Sequence, residues 1–65
     1  MNFHEACRQV LLHCPNEYAK AYAKEGLKMV HHYEIKVQAS YILSNLRWWR
    51  GTLARDVKAA LRRAK

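Results

Sequence analysis

The chain has 65 residues, and twelve Lys+Arg against five Asp+Glu give a net charge of +7 with its four histidines neutral. That length allows one domain, residues 1–65, around one small core, because a chain of this size buries only about 60% of its unfolded surface; a dinucleotide-binding or P-loop fold does not fit. Hydrophobic residues form 51% of the chain and are spread along it, which argues against disorder, while no apolar run exceeds three residues, so neither a membrane span nor a secretory segment is expected.

Asn2 and Glu5 have the spacing of a capping box. Phe3, Ala6, Cys7, Val10, Leu11 and Cys14 then recur at steps of three and four, the apolar stripe of an amphipathic helix. Pro15 lacks an amide hydrogen and clashes with the preceding turn, so this helix is predicted to end near His13. Cys7 and Cys14 on one helix would lie about 10 Å apart along its axis, too far for a disulfide, which points to a reducing, intracellular protein.

Asn16 is placed to cap a second helix over residues 17–25, with Glu17 near its positive end. Tyr18, Ala21, Tyr22 and Glu25 fall on one side, Lys20 and Lys24 face water, and Gly26 reads as a left-handed C-terminal stop.

Residues 27–50 carry two competing patterns. Tyr33, Ile35, Val37, Ala39 and Tyr41 alternate with polar residues, as in a half-buried strand, whereas Ile35, Ala39, Ile42, Leu46 and Trp49 follow a helical repeat. Val30, Val37, Tyr41 and Trp48 make a second stripe on the opposite side of that helix, which would place it in the middle of a bundle. No other stretch offers a strand partner within the chain, so the helix is preferred. Gly51 is read as its C-terminal cap and Thr52 as the N-cap of a last helix, whose apolar stripe is Leu53, Val57, Ala60, Leu61 and Ala64. The expected fold is all-α, a compact bundle of three to four short helices. So small a core invites burial against a partner, a homodimer included.

The positive charge is concentrated at one end. Residues 1–46 balance to +1, whereas residues 47–65 hold seven Lys+Arg and only Asp56, a balance of +6. The candidate binding residues are Arg47, Trp48, Arg50, Arg55, Lys58, Arg62 and Arg63. A surface of this kind attracts nucleic acid phosphates or an acidic protein surface; the plain alternative is a solvated charge run that keeps a small protein soluble. Anionic membrane is disfavoured because the apolar stripe of the last helix is needed for the core. Trp49 continues the buried stripe, and Trp48 is also assigned to core packing ahead of an exposed anchor between arginines, because a short chain needs its large residues inside.

His4 and Cys7 lie one helical turn apart, as half a zinc site would, but the ligand spacing is incomplete and buried cysteines with surface histidines are preferred. No spacing assembles a nucleophile, base and orienting group, so a non-enzymatic protein without cofactor is expected. Two DNA-binding templates are partly matched. A helix-turn-helix would use Leu43–Arg50, a turn at Gly51 and Leu53–Arg63 as recognition helix. The second template resembles the ribbon-helix-helix family, a dimeric DNA binder, with Tyr33–Ala39 as an intermolecular strand.

The segment Tyr41–Ile–Leu–Ser–Asn–Leu–Arg–Trp–Trp–Arg–Gly51, followed by Ala54–Arg–Asp–Val–Lys58, resembles small, functionally uncharacterised helical proteins encoded by bacteriophages and prophages. The likeness covers the last third to half of the chain and carries over no site residue. It implies the cytoplasm of a bacterial host, where tiny basic proteins regulate transcription or bind and block host machinery.

Overall fold

The computed structural model describes residues 1–65 as four helices: α1 (Phe3–His13), α2 (Glu17–Gly26), α3 (His32–Ser44) and α4 (Thr52–Ala64). Each packs on its sequence neighbour and α4 returns to α1, so the four close around one core. There is no strand, and Tyr33–Ala39 lies within α3, which removes the intermolecular ribbon that a ribbon-helix-helix dimer requires. No helix is long and apolar enough to cross a membrane.

Asparagines start the first two helices as the sequence predicts. The Asn2 side chain accepts from the Glu5 amide at 2.8 Å and Asn16 from the Ala19 amide at 2.9 Å, each cap being worth about 1 kcal/mol. Only the Asn2 half of the capping box forms. The α1 stripe is buried as expected: Phe3, Ala6, Cys7, Val10 and Cys14 are all core residues, joined from α4 by Val57, Ala60 and Leu61. Two of the seven largest fully buried side chains are Cys7 and Cys14, both free thiols, so cysteine serves here as a small apolar filler.

The buried face of α2 is not the side that carries Tyr18, Ala21, Tyr22 and Glu25. Ala19, Ala23 and Gly26 point inward, and Tyr18 and Tyr22 are exposed. Small residues win these positions because α1 lies close: a Cβ built on Gly26 would stand 2.9 Å from Cys7 Sγ and 3.0 Å from Phe3 Cζ. Gly26 is therefore a helical contact residue, and its backbone is not left-handed, since Gly51 alone has positive φ. Beyond it, His4 Nε2 donates to the Met29 carbonyl at 2.6 Å, which ties the α2–α3 connection to α1.

The second correction concerns the end of α3. The helix stops at Ser44 and does not continue to Trp49. Ser44 Oγ donates to the Tyr41 carbonyl at 2.8 Å and Asn45 Nδ2 to the same oxygen at 3.0 Å, while the Asn45 amide turns to Ile42. These side chains take the acceptor that the next helical amide would use. Tight turns follow, with the Leu46 amide bonding Leu43 and the Trp49 amide bonding Leu46. Most of the second stripe is not buried either: Val30, Tyr41 and Trp48 are exposed and Val37 is half-buried, so α3 has one core face, centred on Gln38, Ala39 and Ile42. Gln38 is satisfied there, donating from Nε2 to the Tyr22 carbonyl at 2.8 Å.

Candidate nucleic-acid interface

The early end of α3 creates a loop over residues 45–51 that crosses the start of α4. Leu46 is fully buried and anchors it, and Trp49 is half-buried against the core. Gly51 turns the chain into α4 with φ 117° and ψ 174°, a conformation that side chains other than glycine strain to adopt. Gly51 is thus the N-cap of α4 and Thr52 its first residue, one position earlier than the sequence pattern suggests. Because Leu43–Arg50 is mostly loop, the first helix of the helix-turn-helix template is also absent.

Arg55, Lys58 and Arg62 are three and four residues apart on α4 and share a face, since such positions stack on consecutive turns. That face lies away from the buried Val57 and Leu61. Arg47 and Arg50 reach the same place from the loop. Together with Trp49 and Gly51 these five cations line an open cleft of about 340 Å³.

Lys58 holds the two walls together, its ammonium donating to the Trp49 carbonyl at 2.6 Å. The only carboxylate paired with a cleft cation is Asp56, 3.7 Å from Arg55 Nε in an exposed contact, a type that contributes little. Arg47, Arg50 and Arg62 have no ion-pair partner. The start of α4 has no side-chain cap and no acidic residue in its first turn, so its free amides add to the positive potential that the cations set up.

Two of the seven candidates lie outside this cleft. Arg63 faces a different direction, with Nη2 donating to the Met1 carbonyl at 3.3 Å. Trp48 is 78% exposed rather than buried, because the helix that would have carried it inward ends four residues earlier. It lines a second, smaller hollow of about 220 Å³ with Pro15, Asn16, Asn45 and Trp49. Trp49 belongs to both concavities, which makes them neighbours on one end of the bundle. Pro15, Asn16, Asn45, Trp49 and Gly51 line the two hollows without being among the sequence-derived candidates; the Ser44–Asn45 pair is the signal in the sequence that the chain turns there.

Of the side chains with other chemistry, Cys7 and Cys14 are buried in the core and His4 is hydrogen-bonded, while His13, His31 and His32 are exposed. Burial pushes the Cys7 thiol up to about 12, the nearby Arg8 charge opposing this, so at neutral pH it carries its proton and is neither thiolate nucleophile nor ready ligand. His4 is engaged with the Met29 carbonyl, and no three or more His, Cys, Asp or Glu side chains are arranged to hold a metal ion. No known protein family, curated protein or solved structure matches the chain.

Proposed function

We propose that the protein is a small non-enzymatic nucleic-acid-binding protein that seats the phosphodiester backbone in the cleft between the 45–51 loop and α4. The observation that carries this reading is the convergence of Arg47, Arg50, Arg55, Lys58 and Arg62 on one concavity, with Asp56 the one carboxylate paired with any of them. Arginine forks pair with phosphate oxygens two at a time, and a row of them neutralises successive charges along a strand. An acidic protein surface would satisfy the same charges, but protein interfaces are built around an apolar centre, and Trp49 is the one apolar side chain of this cleft. Free, buried Cys7 and Cys14 suit a reducing cytoplasm.

Counterion release supplies the test. Five phosphate contacts correspond to a slope of roughly −3 to −5 in log K against log salt, measured by fluorescence anisotropy with a labelled oligonucleotide. Absence of any salt-sensitive binding at low ionic strength refutes the proposal.

A further inference from the structure

We infer that the ligand is single-stranded, and that one of its bases stacks on the Trp48 indole in the hollow beside the basic cleft. This inference rests on the nucleic-acid reading of that cleft and names the form of its substrate. Trp48 is 78% exposed, although a 65-residue chain has few large apolar side chains to spare for its core. Packing does not explain its position. It stands on a loop next to Arg47, and its hollow shares the Trp49 wall with the cationic cleft. A chain whose phosphates follow the arginines therefore passes within reach of an open aromatic face.

Duplex bases are stacked on one another and present only their edges in the grooves, where a helix or ribbon reads them. An exposed indole on a loop has no use for such edges. It suits a base that is already unstacked, the arrangement by which single-strand binders combine a positive groove with aromatic platforms. The hollow is also polar at its rim. Asn45 uses Nδ2 on the Tyr41 carbonyl and Asn16 uses Oδ1 on the Ala19 amide, which leaves the Asn45 carbonyl oxygen and the Asn16 amide nitrogen to meet the edge of a stacked base. At about 220 Å³ the space suits one ring system, being smaller than the pockets that enclose drug-sized ligands. Single-stranded DNA and RNA share this chemistry.

Anisotropy titrations with labelled oligomers of about 12 nucleotides, as DNA, as RNA and as the matching duplex, test the inference on wild type, Trp48→Ala, Trp48→Phe and the Arg50→Gln/Arg62→Gln double variant. Single strands are expected to bind more tightly than the duplex and to quench tryptophan emission. Trp48→Ala should weaken single-strand binding roughly 5- to 150-fold, with Trp48→Phe restoring much of it and duplex binding unchanged; the DNA and RNA arms show which strand is preferred. Equal affinity for duplex and single strands, or a Trp48→Ala variant that binds single strands like wild type, overturns the stacking inference while a salt slope lost in the arginine variant keeps the cleft reading. No binding to any of the three overturns both. Circular dichroism confirms that the variants fold, as substitution at an exposed loop position should allow.

Discussion

Lys58, in the second turn of α4, donates its ammonium to the carbonyl of Trp49, nine residues earlier, at 2.6 Å. One side chain thereby fixes the loop to the helix and sets the width of the basic cleft between them. The bond involves a charged donor at a partly buried site, so its net contribution is about 1 kcal/mol after allowance for solvent. Lys58→Met keeps the aliphatic stem and loses the bond. A drop in Tm of roughly 4–8 °C is expected for a domain of this size, read by thermal circular dichroism, and an unchanged Tm would mean that the loop is held by Leu46 and Trp49 alone.

The two glycines should fail for different reasons. Gly26→Ala sets a methyl 2.9 Å from Cys7 Sγ, and both partners are locked in the core. The gain of about 1 kcal/mol in helix propensity is then outweighed by about 1–3 kcal/mol of overpacking. Combining it with Cys7→Ala should cost less than the sum of the two single changes, because the smaller side chain makes room. Gly51→Ala meets no atom within 4 Å but must adopt φ 117°, at about 1–3 kcal/mol of backbone strain, and no core substitution should relieve it. Additive behaviour of the Gly26 and Cys7 changes in urea denaturation would sink the packing explanation.

Arg62 and Arg63 are adjacent but should behave differently. Arg62 lines the cleft, whereas Arg63 is turned to the Met1 carbonyl. Neutralising Arg62 to Gln should lower affinity for a labelled oligonucleotide and reduce the magnitude of the salt slope by about 1. Arg63→Gln should leave that slope nearly unchanged. Equal effects would show that binding follows total charge and not the cleft.

Cys7 predicts an alkaline loss of stability. Burial raises its folded pKa from 9.0 to about 12. Below pH 9 the thiol is protonated whether the chain is folded or not, and its full contribution is present. Between pH 9 and about 12 the unfolded chain ionises while the folded one holds its proton, so stability falls by about 1.4 kcal/mol per pH unit from this group. Urea midpoints of wild type and Cys7→Ala, followed upward from about pH 8, should converge as pH rises, since the two chains differ only at this residue. Parallel curves would disprove the shift.

Much of this architecture is legible in the amino-acid sequence. The Asn2 and Asn16 caps, the break at Pro15 and the stripes of α1 and α4 are local: each depends on residues within a few positions and on the 3.6-residue period. The gathering of cations after residue 46 is equally plain from the chain. The buried face of α2 is not legible in the sequence because its periodicity is ambiguous among alanines and tyrosines, and which side is covered depends on how closely α1 approaches.

The amino-acid order by itself determined four things: that the protein is helical, roughly where α1, α2 and α4 begin, that its cysteines are unpaired, and that its positive charge lies at one end. Tertiary structure decided which cations share a concavity, that Arg63 leaves them, and that Trp48 is offered to solvent. The reason is that helix starts and charge runs are set by neighbours in sequence, whereas the path of the 45–51 loop is set by contacts between distant elements: Leu46 in the core and the Lys58 ammonium on the Trp49 carbonyl.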